Sequence, residues 1–201
     1  MGRPIQNKQA HFTAEGEDAG PQAPAQIYSA ERIIFLSGEV SEALITQIIA
    51  GMISLAIHDA TTPIKLIIST YGGSIDEMFA LYDTIKYIPC PVHTVGMGKI
   101  MSAGVLLLAA GAPGSRMIGE NARIMIHPTS GVSAGTFFQV KNDTDEHLRQ
   151  QLQMEKLISR ETKITDQKVK ELMRVGYDVY LTPKQALDLG IVDQIIGSDK
   201  K

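Results

Sequence analysis

Residues 98–111, GKIMSAGVLLLAAG, join two segments of different character, and this join decides the fold class. The residues before it, PVHTVGMG (91–98), are typical of a buried strand, whereas Ser102 to Ala110 is an apolar run typical of a helix. Such strand-to-helix joins recur along the first half of the chain. Because the helices between the strands have crossover length, the pattern predicts an α/β fold with a parallel sheet of right-handed βαβ units.

The same reasoning places the other elements. Apolar periodicity and capping residues predict strands at Arg32–Leu36 and in PIKLIIS (63–69), and helices from Ser41 and over Ser74–Tyr87. The second half is predicted to hold two short strands in SRMIGENARIMIHPTSG (115–131), a long polar helix over about 137–160, a helix over Thr165–Val175, a helix opened by Thr182-Pro183, and a last strand in IVDQII (191–196).

Composition narrows the class of protein. The chain has 201 residues, 44% of them hydrophobic, with a formal net charge of −3. Neither nucleic acid nor an anionic membrane surface is an expected partner, because no basic excess or polybasic cluster is present. The single cysteine cannot form an internal disulfide, which favours the cytoplasm. Residues 1–26 lack core-forming side chains and are predicted to be a flexible arm before one domain, 27–201.

Two turns could carry chemistry. In an open α/β sheet, ligands gather where strands lead into helices, and both TYGGS (70–74) and KIMSAG (99–104) lie at such joins. Unpaired N–H groups at the start of a helix after Ser102 would stabilise an oxyanion beside its hydroxyl. The alternative is that Ser102 only caps the helix, which is the commoner role of serine at this position.

A nucleophilic serine needs a base and an acid that orients it. His127 ends the apolar strand RIMI and opens a loop, so it is well placed for a cleft; the alternative is a histidine buried in the core. His147 in DTDEHLRQ is predicted to lie on a solvated helix face. Asp178, Asp188 and Asp193 remain alternatives for the orienting acid. No motif for a metal, a nucleotide or another cofactor is present.

Five separated segments stand out: ERIIFLSGEV (31–40), YGGSIDEMFALYDTIKYI (71–88), MSAGVLLLAAGAPGSR (101–116), NARIMIHP (121–128) and DVYLTPKQALDLGIVDQII (178–196). Together they resemble the ClpP family, the proteolytic subunits of the Clp protease. They follow the family's order and cover roughly residues 27–196. The resemblance implies a spiral of βαβ units, shared with the crotonases, from which the long helix over about 137–160 protrudes as a handle.

The resemblance also implies a role for individual residues. Ser102 matches the nucleophile, His127 the base and Asp178 the orienting acid. Gly73 and Ala103 match the backbone donors of the oxyanion hole. The positions matching those that bind an extended peptide substrate are Gly72, Ile75, Thr129, Ser130 and Gly131.

The activity implied is that of a serine endopeptidase that cleaves unfolded polypeptides. The family forms two stacked heptameric rings, fed by an AAA+ Clp unfoldase that consumes the ATP, so no cofactor is expected in this chain. Lys65 and Ile67 stand where the family often has the aromatic residues of the unfoldase-docking pocket. Two alternatives remain: a catalytically silent subunit that mixes into rings with active relatives, and a crotonase-type acyl-CoA enzyme.

Overall fold

The structure, a computed structural model, describes residues 26–197. The arm predicted for residues 1–26 therefore lies outside the described residues, apart from Gln26. The strands are β1 (Gln26–Tyr28), β2 (Ile33–Ser37), β3 (Ile64–Thr70), β4 (Val92–Met101), β5 (Arg116–Gly119), β6 (Arg123–Ile126), β7 (Val179–Leu181) and β8 (Gln194–Ile196). The helices are α1 (Glu42–His58), α2 (Ile75–Tyr87), α3 (Ala103–Ala109), α4 (Phe137–Glu161), α5 (Asp166–Met173) and α6 (Pro183–Asp188).

The sheet confirms the predicted parallel α/β architecture. Its main path runs β1-β2-β3-β4-β5-β8, and every neighbouring pair from β2 to β8 is parallel. Helices α1, α2 and α3 each follow a strand and lead to the next. The carboxyl ends of β2, β3 and β4 consequently lie at one edge of the sheet, and the turns before α2 and α3 meet there.

Strand β4 divides the sheet along its length. Its first half, Thr94 to Gly96, pairs with β5, whereas its second half, Lys99 to Met101, pairs with β6. Both partners are parallel to β4, so the chain winds around the long strand instead of extending a flat sheet. This arrangement carries β6 and the residues after it to the end of β4, where Ser102 lies.

The helices bury the sides that the sequence predicts. Leu44, Ile48, Met52 and Leu55 of α1 are buried, as their helical spacing requires. Helix α4 differs, because its buried residues begin only at Gln151. Its first half thus projects from the core, as expected of a handle.

Strands β1 and β7 were not predicted. Each has three residues and pairs in antiparallel fashion at the margin of the sheet, β1 with β2 and β7 with β6. A strand of three residues is too short to show alternation, and β1 and β7 lack the longer apolar segment that revealed the equally short β8. Strand β7 matters for the site, because Asp178 directly precedes it.

Candidate active site

Ser102 lies between the end of β4 and the start of α3 in a strained backbone conformation. Its φ of 54° and ψ of −122° fall in a region that residues other than glycine rarely adopt, at a cost of about 1–3 kcal/mol. The Ser102 N–H donates to the Met125 carbonyl at 2.8 Å, which holds the turn against β6. Such strain at a partly buried join is typical of a functional position.

The side chain of Ser102 does not cap α3. Ser74, Thr136, Thr165 and Thr182 stand at the starts of other helices, and each accepts a hydrogen bond from the backbone N–H three residues later. The Ser102 hydroxyl makes no such bond. The capping alternative therefore does not explain why serine stands at this join.

Gly72 and Gly73 bring the turn after β3 against Ser102. A Cβ on Gly72 would lie 2.6 Å from the Ser102 Cβ, and a Cβ on Gly73 would lie 2.4 Å from the Val40 carbonyl oxygen. Both glycines also have positive φ, 107° and 149°. Glycine is thus required at both positions, because the turn after β3 lies close to Ser102 and to Val40. This close approach places the Gly73 peptide beside Ser102.

Two backbone N–H groups at this point have no backbone acceptor. Val40 and Gly73 form a parallel β-bridge, but its hydrogen bonds use the residues on either side of Gly73. The Val40 N–H donates to the Gly72 carbonyl, and the Ser74 N–H donates to the Val40 carbonyl. The Gly73 N–H itself takes no part in these hydrogen bonds. Ala103, as the first residue of α3, likewise has no partner one turn earlier. Within residues 26–197 neither N–H donates a hydrogen bond to another group, so both are free to bind an anion.

His127 and Ser102 line the same cleft, which has a volume of about 210 Å³. His127 immediately follows β6, whose residue Met125 binds the Ser102 N–H. Gly73, Ala103 and Ile75 also line the cleft, as do Thr129, Ser130 and Gly131 from the loop after His127. Gly72 does not line it but lies behind Ser102.

Asp178 lies next to His127 in the sheet but is exposed. Antiparallel strands β6 and β7 pair Ile126 with Val179, so one further step of the same register sets His127 opposite Asp178. Throughout the described range, no hydrogen bond joins Ser102, His127 and Asp178 to one another. The backbone brings the three residues together, whereas their side-chain hydrogen bonds are not formed in this isolated chain.

The other two aspartates are engaged elsewhere. Asp193 forms an ion pair with Arg116 at 2.6 Å and accepts the Arg116 and Gly114 backbone N–H groups. The Arg116 hydrogen bonds lower the pKa of the Asp193 carboxyl. Asp188 pairs with Lys184 on the surface of α6. Neither aspartate is in register with His127, which leaves Asp178 as the acid nearest to it in the sheet.

Helix α4 contributes to the cleft, which the sequence prediction missed. His147 is exposed, as predicted for a solvated helix face, but it also lines the cleft together with Gln150 and Met154. These residues follow one another at i, i+3 and i+7, the spacing of a single helix face. That spacing was the available signal, but the surrounding charged residues in DTDEHLRQ concealed it.

A hydrogen-bonded chain ties both sides of the site to α4. The Thr129 N–H donates to Gln151 Oε1 at 2.7 Å, and Gln151 Nε2 donates to Glu155 at 2.9 Å. Glu155 in turn accepts two hydrogen bonds from Arg174, at 2.8 and 2.7 Å. The loop after His127 is thus connected to the segment that leads to Asp178.

Two structural findings concern other classes of site. In the part of the chain that the structure describes, no group of three or more His, Cys, Asp or Glu side chains is arranged to hold a metal ion. Across residues 26–197, no helix has the length and apolar character needed to cross a membrane.

Comparison with known proteins agrees with this architecture. A profile described as Clp protease matches residues 21–199. Relatives named ATP-dependent Clp protease proteolytic subunit include subunit 2 of Streptomyces coelicolor, 36% identical over 85% of this chain and 78% of the relative. Subunit 1 of Corynebacterium jeikeium is 36% identical over 85% of this chain and 90% of its own length. Subunit 3 of Parasynechococcus marenigrum is 34% identical over 83% and 82%. The chain therefore belongs to the Clp protease family, and the peptidase activity expected from its sequence is the activity of that family.

Proposed function

We propose that the chain is a serine endopeptidase in which Ser102 is the nucleophile, His127 the base and Asp178 the orienting acid. The observation that supports this assignment most strongly is the setting of the Ser102 hydroxyl. It does not cap its helix, it stands on a strained backbone, and it lies beside the unengaged N–H groups of Gly73 and Ala103 in a cleft shared with His127.

The proposed reaction is acyl transfer. Ser102 Oγ attacks the peptide carbonyl carbon while His127 accepts the hydroxyl proton, and the carbonyl π electrons move onto oxygen. The Gly73 and Ala103 N–H groups hold this oxyanion. When the C–N bond breaks, His127 gives the proton to the leaving amine. Water then attacks the ester with His127 again acting as base, which releases the acid and restores Ser102. These steps need no cofactor from this chain.

Asp178 must move for this mechanism. A carboxylate that accepts a hydrogen bond from the His127 ring fixes its tautomer and stabilises the imidazolium. The β6–β7 register supports Asp178 in this role, and the exposure of Asp178 leaves its side chain able to turn. We infer that contact with another subunit or with substrate completes the hydrogen bonds.

We further propose that the chain works within stacked heptameric rings and receives unfolded polypeptides from an ATP-consuming Clp unfoldase. The relatives are named as subunits of an ATP-dependent protease, and the exposed first half of α4 offers an element by which rings could meet. Lys65 and Ile67 replace the aromatic residues of the family's docking pocket, so they should affect which unfoldase docks.

We also propose a cytoplasmic location. It fits the free thiol of Cys90, which is buried and has no second cysteine to pair with.

Cleavage of an unfolded polypeptide tests the proposal. The full chain is incubated with a casein-like unfolded substrate, with and without a Clp unfoldase, and the products are sized by mass spectrometry. Short peptides are expected from the wild type and none from Ser102→Ala or His127→Ala. Asp178→Asn should lose most of the rate, because the His127 tautomer is no longer fixed.

The matched control is Ser54→Ala, which alters an exposed serine on α1 far from the cleft and should leave cleavage unchanged. Intact substrate with folded wild-type protein in both conditions would contradict the proposal and favour a catalytically silent ring subunit.

A further inference from the structure

We propose that the cleft beside Ser102 selects a carboxamide side chain, glutamine foremost, on the residue whose carbonyl is attacked, and that His147 and Gln150 make this selection. The inference rests on the serine peptidase function proposed above and adds the substrate class of the same site. Helix α4 supplies both residues to the cleft wall.

The His147 ring lies close to the loop that follows His127. A Cβ on Gly131 would lie 2.6 Å from His147 Cε1 and 3.1 Å from both ring nitrogens. The ring therefore packs directly against the backbone of the loop that follows His127. Glycine at position 131 allows this approach, and the imidazole forms part of the cleft wall.

The orientation of the Gln150 amide follows from its partner. Gln150 Nε2 donates to Asp76 Oδ1 at 2.9 Å, and a carboxylate can only accept. Gln150 Oε1 is thereby fixed as an acceptor, and among residues 26–197 nothing donates to it. The His147 ring nitrogens also have no hydrogen-bond partner in this range. A neutral imidazole supplies one N–H donor and one acceptor.

The floor of the cleft is apolar. Met78 is fully buried, Met154 is 4% exposed, and Ile75 lies beside them. A side chain that enters must therefore present an aliphatic stem to the floor and polar atoms to the His147–Gln150 wall. Glutamine matches both parts, because its amide oxygen accepts from the His147 N–H and its amide nitrogen donates to Gln150 Oε1.

Other side chains fit less well. Leucine fills the apolar floor but makes no hydrogen bond to His147 or Gln150. A glutamate carboxylate would face Gln150 Oε1 and lie one hydrogen bond from the negative charge of Asp76. Lysine can donate to Gln150 Oε1, but it has no acceptor for the His147 N–H, so it makes one of the two bonds that glutamine makes. The cleft should thus rank glutamine above leucine, glutamate and lysine.

The side chain that enters this cleft belongs to the substrate residue whose carbonyl is attacked. Gly73 is a proposed donor to the carbonyl oxygen, and the chain runs on from it through Ser74 and Ile75 into α2, whose Met78 forms the floor. The side chain nearest the carbonyl held at Gly73 is that of the residue that supplies the carbonyl. Its head group then meets α4 across the cleft.

The test compares fluorogenic peptides that differ only at this residue, carrying Gln, Leu, Glu or Lys, with the full-length protein. Two hydrogen bonds should favour the Gln peptide over the Leu peptide by roughly tenfold in kcat/KM. His147→Leu and Gln150→Leu should each bring the Gln-to-Leu ratio to one or below, chiefly through the Gln peptide. Gln153→Leu, an exposed change on the same helix outside the cleft, should keep the wild-type ratio.

Active-site labelling separates the two proposals. Each variant is also treated with a small fluorophosphonate that has no amino-acid side chain. If Ser102 is labelled but the Leu, Glu or Lys peptide is preferred, or if His147→Leu keeps the wild-type ratio, the specificity is wrong and the peptidase assignment stands. If the folded wild type is neither labelled nor active on any peptide, both proposals are overturned.

Discussion

At the scale of single residues, Ser102 is the position where local preference and structure disagree. Serine favours helix caps, yet this serine holds a left-handed φ without a capping bond. The conformation is maintained by the Met125 carbonyl on one side and by Gly72 on the other. A residue kept in an unfavourable conformation by its surroundings is one whose side-chain direction matters.

We expect Ser102→Gly to be more stable than Ser102→Ala. Glycine adopts φ of 54° without strain, whereas alanine retains the penalty, so the free energy of unfolding should differ by about 1 kcal/mol. Both variants lack the hydroxyl and should be inactive. Urea unfolding of the two proteins checks this, and equal midpoints would indicate that the backbone at Ser102 is not strained.

Gly72→Ala should disturb both stability and activity. The new Cβ would meet the Ser102 Cβ at 2.6 Å in a backbone of φ 107°, so we expect a loss of about 2–4 kcal/mol in the free energy of unfolding. Displacement of Ser102 should also slow fluorophosphonate labelling by more than tenfold. Gly114→Ala is the matched control, because its φ is 83° but its Cβ would meet nothing within 4 Å. Equal effects of the two changes would show that close approach to Ser102 is unimportant.

At the scale of elements, helix α4 organises the site. It supplies His147, Gln150 and Met154 to the cleft, and through Gln151 and Glu155 it connects the loop after His127 with Arg174. Burial raises the pKa of the Glu155 carboxyl, but hydrogen bonds from Arg174 and Gln151 outweigh burial and hold that pKa below its usual value. The charged form of Glu155 is therefore the one that stabilises the fold.

This linkage predicts a dependence on pH. Because the pKa of Glu155 is lower in the folded state, its contribution is complete above the ordinary value of 4.5 and is lost as pH falls below it. Glu155→Gln should cost about 1.5 kcal/mol of unfolding free energy at pH 7, since Arg174 is half exposed and water replaces its partner. The cost should shrink toward pH 3.5. Urea titrations at both pH values measure it, and a cost that is independent of pH would exclude the ion pair as its cause.

The sequence predicts most elements because their signals are local. The stripe of α1, the Thr-Pro start of α6 and the strand-to-helix join at Ser102 each depend on neighbouring residues alone. Strand β7 and the position of His147 depend on pairing and packing between distant segments, which a single sequence does not display. For the same reason, Asp178 could not be separated from Asp188 and Asp193 until the register was known.

At the scale of the whole molecule, the exposed apolar side chains indicate assembly. Phe137 and Phe138 open α4 and are 75% and 79% exposed, in edge-to-face contact with each other. A pair of aromatic rings left in water at the start of a projecting helix is typical of a surface that another chain covers.

We expect the double change Phe137→Asp with Phe138→Asp to separate the stacked rings proposed above. Two carboxylates cannot be buried without partners, so native mass spectrometry should show single rings in place of double rings. Ile57→Asp, on an equally exposed residue of α1, is the control and should leave the double ring intact. Double rings in the α4 variant would place the contact between rings elsewhere.

The most direct test of the account is to map the adduct that a fluorophosphonate leaves on the assembled wild-type protein. One adduct per chain is expected, on the peptide that contains Ser102, and it should be absent from Ser102→Ala and strongly reduced in His127→Ala. Labelling of another serine, or no labelling of folded rings, would contradict the assignment of Ser102 as the nucleophile.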